Sequence, residues 1–414
     1  MRSVLLIYPY FEPVHDRSLF RFPPLGIGYV AASLHFAGHS VSLLDCTFLT
    51  RDEAFRRARA ARADVVGVYS MVTMRQAAVR FARELRDSGA LLVAGGPLPT
   101  SDPGLLLTDF NVVVKGEGEH TMCDLVSARR RAPAPWSLTT IPFPALPFPA
   151  LDLFPNAHYI RHSRRRYGYA ITAIMSRRRC QFSCEFRSNV MFGTSRRARS
   201  VRSVVDEVEH ALSFGYDRIH LGDDVFTPDR ARVARICEEI ERRELRFDGE
   251  CLGRVDTVDV VLARRMKKAG CDRIFFGIES GNDGVLGLMN KKITVEQAER
   301  AVRGAHEGGL HTGAFFILCY PGENDDTVLT TLRFALTLPL DYLSFTIPYP
   351  IPGTGLYRGV MGRDVREWAQ PDALLFDHAL TYGAACSQAK MRFAILKGQL
   401  PFEIKRRLRR AGGR

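Results

Sequence analysis

Of the nine cysteines in the 414-residue sequence, only Cys180 and Cys184 stand close enough along the chain to share a metal centre. Both lie in the run Ser176-Arg177-Arg178-Arg179-Cys180-Gln181-Phe182-Ser183-Cys184-Glu185-Phe186-Arg187-Ser188-Asn189, where two thiolates can ligate a soft metal or an iron–sulfur cluster. A second group is spread along the chain but recurs at strand ends: Asp223 and Asp224, Arg254, and Glu279 with Ser280. Carboxylates there bind hydroxyl or amino groups, and an arginine grips a carboxylate through two parallel hydrogen bonds. Asp224 has a second reading, in which it and Thr227 cap a helix starting near Pro228. Glu279 follows the apolar run Ile274-Phe275-Phe276, so it either faces a ligand or pays for an unpaired burial. Cys251 ends a strand and is a candidate for a chemical role, whereas Cys46, Cys123, Cys237, Cys271, Cys319 and Cys386 read as small apolar core residues. A third group is glycine-rich: Ser70, the run Gly95-Gly96-Pro97-Leu98-Pro99-Thr100, and Gly116-Glu117-Gly118-Glu119. Paired glycines let the backbone approach a flat, bulky ligand, and Pro97 and Pro99 stiffen the loop; the same pattern also serves an ordinary βα turn.

These residues need elements to hold them. Residues 1–127 alternate short β-branched runs (Ser3 to Tyr8, Ser40 to Leu44, Val65 to Tyr69, Leu91 to Ala94, Asn111 to Val114) with amphipathic stretches, which predicts a parallel sheet covered by helices. The glycine-rich runs then fall at strand carboxyl ends, where open α/β sheets bind ligands. Prolines recur between Ala132 and Pro155, so residues 128–158 read as a stiff linker. Residues 159–356 begin a new alternation, with strands near Tyr169 to Met175, Arg218 to Leu221, Phe247 to Cys251, Arg273 to Gly277, Thr312 to Ile317 and Tyr342 to Thr346. Six such units predict a partial (β/α) barrel with its site at the strand carboxyl ends. Residues 357–414 read as a basic, helical extension.

The cysteine loop resembles that of the radical S-adenosylmethionine (SAM) superfamily, in which three cysteines at spacings of three and two residues follow the first barrel strand, the third preceded by an aromatic residue. Cys180, Cys184 and Phe186 match, and Arg187 stands where the third cysteine belongs. The resemblance runs through most of residues 1–360 and is most specific for the members that carry an amino-terminal cobalamin domain. Its stretches are Phe22-Pro23-Pro24-Leu25-Gly26, Ala37-Gly38-His39, Gly95 to Thr100, Lys115 to Glu119, Arg199-Ser200, Asp223 to Thr227, Arg254-Val255-Asp256, Gly277 to Gly281, Tyr320 to Glu323 and Pro350 to Thr354.

The resemblance implies an α/β fold: a flavodoxin-like cobalamin-binding domain, then a partial (β/α)6 barrel. It implies cobalamin over Ser70, Gly95, Gly96, Pro97, Thr100 and Gly116 to Glu119; SAM beside Phe186, Asp223, Asp224, Arg254, Glu279 and Ser280; and a [4Fe-4S] cluster on Cys180 and Cys184. The Asp-x-His-x-x-Gly element that supplies an axial histidine in some cobalamin proteins is absent. The activity implied is methyl transfer, ring formation or rearrangement on a biosynthetic intermediate, with a flavodoxin or ferredoxin as electron donor if the chemistry is radical. Arginine offers no lone pair, so Arg187 cannot ligate iron. Three readings follow. Another residue such as Cys251 or Glu185 supplies the third ligand; or no cluster forms and Arg187 holds the SAM carboxylate for polar chemistry; or the protein keeps its cofactors without turnover.

A net charge of +13, carried mainly by arginine, suggests an anionic or carrier-bound small-molecule substrate, with Arg161 to Arg166 and Arg177 to Arg179 as its contacts. No motif of basic and interleaved aromatic residues suggests nucleic acid. The first apolar run, Val4 to Tyr8, is too short for a signal segment, no run is long enough for a membrane span, and a cytoplasmic location is expected.

Overall fold

Short apolar runs, buried almost throughout, build the first sheet. The computed structural model describes residues 1–10, 21–127, 135–136, 146–187, 197–351, 353–360 and 387–412. Strands β1 (Ser3–Tyr8), β2 (Ser40–Asp45), β3 (Val65–Tyr69), β4 (Leu91–Gly95), β5 (Val112–Val114) and β6 (Pro135–Trp136) pair in parallel in the order β2-β1-β3-β4-β5-β6. Leu5, Ile7, Val66, Val68, Leu92, Ala94 and Val113 face one way and pack with Phe55 of helix α2 (Arg51–Ala60) and Phe81 of α3 (Arg75–Glu84). Leu6, Gly67, Val93 and Val114 alternate to the other face, the side of α1 (Leu25–Phe36) and α5 (Gly118–Ser127). The run from Gly95 to Thr100, expected as a stiffened loop, includes a short helix, α4 (Pro97–Ser101), because Pro97 pre-sets the first helical position. The order β2-β1-β3-β4-β5 is that of flavodoxin-like sheets, with its crevice where strand order reverses.

By contacts the chain divides into two units, 1–179 with 189–200 and 206–218, and 180–188 with 201–205 and 219–414. This division falls later than the expected boundary at residues 128–158. Helix α6 (Asn156–Tyr167) belongs to the first unit: the Tyr159 hydroxyl donates to Asp45 Oδ2 at 2.6 Å, and Asp45 also accepts from Thr47 N and Oγ1 at 2.9 and 2.6 Å. Part of the expected linker is also sheet, since β6 pairs with β5. Residues 128–134 and 137–145 of that linker lie outside the described residues.

The second sheet contains β7 (Ile171–Ile174), β10 (Arg218–Leu221), β11 (Asp248–Gly253), β12 (Cys271–Glu279), β13 (His311–Ile317) and β14 (Tyr342–Thr346), in the order β14-β13-β12-β11-β10-β7. Short strands β8 (Arg177–Arg178) and β9 (Arg197–Ala198) form a separate antiparallel pair. Helices α7 (Val201–Ser213), α8 (Arg230–Arg242), α9 (Val260–Lys268), α10 (Asp283–Leu288), α11 (Val295–Glu307) and α12 (Asp325–Thr337) lie between strands. The architecture is the expected α/β chain with a partial barrel of six strands. Caps start the helices: Asp229 accepts from Arg232 N at 3.0 Å, and Thr294 with Gln297 closes a capping box on α11. Helices α13 (Gly355–Val360) and α14 (Gln388–Gly412) follow, with 361–386 and 413–414 outside the described residues, as are Pro352 and Cys386. Among the described residues no helix is long and apolar enough to cross a membrane.

Candidate cofactor sites

In the first unit a cavity of about 370 Å³ opens on the face of the sheet opposite the α2 and α3 core. Gly67 makes room for it inside β3, since a Cβ there would stand 2.8 Å from Leu6 Cδ2. Its walls are mainly apolar, from Ile27, Val30, Val93, Val114, Met122 and Met175, and its mouth holds Gly95, Gly96, Pro97 and Gly116 to Glu119. Gly96 has φ +114, and a Cβ there would lie 2.8 Å from the Ser70 carbonyl oxygen, so the turn requires glycine. Thr100 lines nothing but ties two loops together, donating to Gly96 O at 2.7 Å and accepting from Gly116 N at 2.8 Å. Ser70 is fully buried, with its backbone N–H bonded to Gly95 O, and its hydroxyl has no partner among the described residues. Burial pushes the Tyr69 phenol on the cavity wall up to about 12.

Glu117 and Glu119, expected in the cobalamin seat, line the cavity, are buried and are bound to arginines. Arg178 lies 2.5 Å from Glu119 and 3.4 Å from Glu117, and Arg197 pairs with Glu117. Burial alone would lower the Arg178 pKa, and the two carboxylates more than offset it, holding its charge. Arg177 and Arg178, expected as contacts of an anionic substrate, are both buried. Arg197 and Gly67 carry no recognisable signal of their own in the sequence, and Arg178 is marked there only as one of a basic run.

In the second unit a cavity of about 230 Å³ gathers Cys180, Cys184, Phe186, Arg187, Asp224, Arg254 and Glu279. A β-bulge at Gly277 to Glu279 and a φ of +73 at Glu279 re-aim that carboxylate, which accepts from Lys291 Nζ at 2.7 Å. Lys291, which sequence reasoning missed, also lines the cavity, 5.5 Å from the Phe186 ring centroid. The Arg254 guanidinium lies 3.8 Å over Phe182, pairs with Asp256 and donates to the carbonyls of Lys291 and Lys292 at 2.6 and 3.0 Å. Arg187 pairs with Asp224 at 3.0 Å. Burial pushes the Cys184 thiol up, against opposing pulls from Lys291, Arg254 and Arg187.

Several expected residues stand elsewhere. Cys251 does not line the cavity: Leu252 does, and alternation turns Cys251 to the opposite face of β11, where it is fully buried and its thiol is held well above the usual range by a hydrogen bond with Cys271 and by burial. Glu185, the other candidate third ligand, is not a lining residue either; its carboxylate lies against Gly355. Ser280 is buried on Thr331 Oγ1 at 3.0 Å, and Asp223 is buried outside the lining. Asp229, not Asp224, caps α8, which leaves Asp224 for Arg187; Thr227 instead bonds Thr257 and the Arg254 N–H. Among the described residues no group of three or more His, Cys, Asp or Glu could hold a metal ion.

A flavodoxin-like unit with an apolar crevice and a partial barrel carrying two cysteines after its first strand define the class. The Radical SAM superfamily model matches residues 175–335, and the B12 binding domain model matches residues 13–126. The chain is 30% identical over 386 residues to an uncharacterized methyltransferase of Pyrococcus horikoshii, covering 86% of this chain and 82% of that protein. It is 25% identical over 390 residues to the anaerobic magnesium-protoporphyrin IX monomethyl ester cyclase of Rubrivivax gelatinosus, covering 86% and 69%. Its fold is that of the radical SAM methyltransferase TsrM from Kitasatospora setae, solved with cobalamin and a [4Fe-4S] cluster, at a TM-score of 0.71 and 20% identity, covering 87% of this chain and 74% of that one. The chain belongs to the radical SAM superfamily, among the members that carry a B12 binding domain.

Proposed function

We propose that this protein uses SAM and cobalamin to transfer a methyl group to a small biosynthetic intermediate, and that its SAM cavity works without a three-thiolate cluster. The observation that carries the second part is the corner itself: Arg187 and Asp224 are paired where a third ligand would stand, and neither Cys251 nor Glu185 lines the cavity. Two thiolates do not make the donor set of a conventional [4Fe-4S] centre. The relatives support methyl transfer, one being a methyltransferase by name and another solved as one.

Cobalamin fits the first cavity. Gly67 keeps a side chain out from between Leu6 and Met122, and nothing stands within 4 Å of a Cβ built on Gly95, so the backbone is open to a bulky ligand there. When bound, the cobalt of cobalamin accepts and releases methyl groups. Gly95, Gly96, Pro97 and Gly116 to Glu119 would hold the cofactor, with Ser70 buried behind them and outside the lining, while Arg178 and Arg197 neutralise the two buried carboxylates.

In the barrel, Arg187 would grip the SAM carboxylate, with Asp224 orienting its guanidinium. Glu279, oriented by Lys291, would take the SAM amino group, and Phe186 would pack against apolar parts of the ligand. The SAM sulfonium is already electrophilic, so a polar transfer asks of these residues only binding, orientation and exclusion of water. The expected anionic substrate would find Lys291 and Arg254 in the same cavity.

Anaerobic reconstitution with iron and sulfide, followed by electron paramagnetic resonance with and without SAM, tests this reading. The expected result is no reduced [4Fe-4S] signal, with SAM and cobalamin still bound in equilibrium dialysis and SAM binding weakened roughly tenfold or more in Arg187→Ala. A cluster signal perturbed by SAM would overturn the cluster-free part and restore radical chemistry.

A further inference from the structure

Exposed arginines on helices of this protein usually carry a carboxylate of their own: Arg57 with Glu53, Arg83 with Asp109, Arg230 with Asp259, Arg264 with Glu307 and Arg300 with Glu296. Helix α6 departs from this. Arg161, Arg165 and Arg166 have no acidic partner among the described residues, and they line an open cleft of about 550 Å³ together with Phe48, His158 and His162. Arg164, on the same helix and equally exposed, points elsewhere and pairs with Asp217 at 3.3 Å. The charge in the cleft is therefore a matter of placement, not of the helix being basic.

The cleft is built from one helix face and one ring. His158, Arg161, His162 and Arg165 recur at helical spacing, so their side chains share a side of α6. Phe48, in the segment after β2, closes the cleft, with ring centroids 5.7 Å from His158 and 5.9 Å from His162 and a packing contact with the buried Tyr159 at 4.8 Å. Arg161 and Arg166 stand five helical steps apart, a backbone rise of roughly 7–8 Å along the axis. That spacing suits two linked phosphoryl groups better than one, and guanidinium forks match phosphate oxygens in pairs. A concave site of this size takes a small ligand. The cleft shares no residue with either cavity described above.

We infer that this cleft is a binding site for a diphosphate-bearing small molecule. Arg161, Arg165 and Arg166 clamp the phosphoryl oxygens, the two imidazoles add donors, and the Phe48 ring offers a face to whatever the diphosphate carries. The inference stands apart from the methyl-transfer reading and fails or holds without it.

Calorimetric titration of the full chain with inorganic pyrophosphate, orthophosphate and ADP at about 0.1 M salt tests it, the salt keeping distant charges screened. Pyrophosphate is expected to bind more tightly than orthophosphate, to lose roughly tenfold or more in affinity in an Arg161→Ala/Arg165→Ala variant, and to lose less than about twofold in Arg164→Ala. ADP binding more tightly than pyrophosphate assigns the ligand as a nucleotide stacked on Phe48; equal affinity assigns the diphosphate alone. All these side chains are exposed, and an unchanged melting temperature checks each variant. Absence of pyrophosphate binding, or an equal loss in Arg164→Ala, overturns the inference, the second by showing diffuse charge instead of a site.

Discussion

The two cavities are made by opposite means. The one over the first sheet exists because side chains are missing: Gly67 and Gly96 leave space, the walls are apolar, and the charges at its mouth neutralise one another in buried pairs. The one in the second unit is made of side chains that are present, two thiols, three cations and two carboxylates among aromatic rings. A site shaped by absence tolerates no additions. A site made of functional groups can exchange one for another and keep its fold.

The largest expected effect is on the first cavity. Arg178→Met strips the buried Glu119 of its arginine while Glu117 keeps Arg197, and removing one side of such a buried pair costs about 3–5 kcal/mol. Urea unfolding should show the loss, and a variant within about 1 kcal/mol of the parent would break the contrast between the cavities. Gly96→Val comes next: a β-branched residue at φ +114 with its Cβ 2.8 Å from a carbonyl oxygen is expected to cost about 2–3 kcal/mol and to abolish the cobalamin absorbance retained after desalting.

This division also explains what the sequence disclosed. The strands were legible because a short β-branched run bounded by turn residues is a local property, and Val65–Tyr69, Arg218–Leu221 and Tyr342–Thr346 stand where they were expected. Gly95, Gly96, Cys180, Cys184, Arg187 and Glu279 were legible because each sits in a run whose composition is unusual. Arg178, Lys291 and the facing of Cys251 were not. Arg178 meets Glu119 across 59 residues of chain, Lys291 reaches Glu279 through a bulge, and the direction of Cys251 depends on which face of β11 looks inward. Long-range pairing and strand facing are set by tertiary packing, for which the residue itself carries no mark.

A buried acid without an arginine sharpens the comparison. Glu323, in the run from Tyr320 to Glu323, accepts from the Tyr320 N–H at 2.9 Å, and burial raises its pKa to about 7. The folded state thus holds a proton that the unfolded chain releases near its ordinary value of 4.5. Stability from this group is full below 4.5 and is lost as pH rises through 7. Glu323→Gln should match the parent at pH 5 and exceed it by on the order of 2 kcal/mol at pH 8 in urea unfolding. A difference that is the same at both pH values would mean that the carboxyl titrates normally.

Arg187→Cys is expected to change stability least and chemistry most. The Arg187–Asp224 pair is partly exposed, with side chains 26% and 39% accessible, and such pairs contribute about 1 kcal/mol or less. The substitution places a third thiol at the corner already shared by Cys180 and Cys184 and frees Asp224 from its partner. After anaerobic reconstitution the variant should gain broad visible absorbance and a reduced [4Fe-4S] resonance, which the proposed cluster-free reading denies the parent, while unfolding at the same urea concentration. Gain of the resonance with unchanged stability would establish that the cavity exchanges functional groups without loss of fold. A variant that unfolds earlier and gains no cluster would place Arg187 among the residues that build the cavity, and the contrast between the two sites would fail.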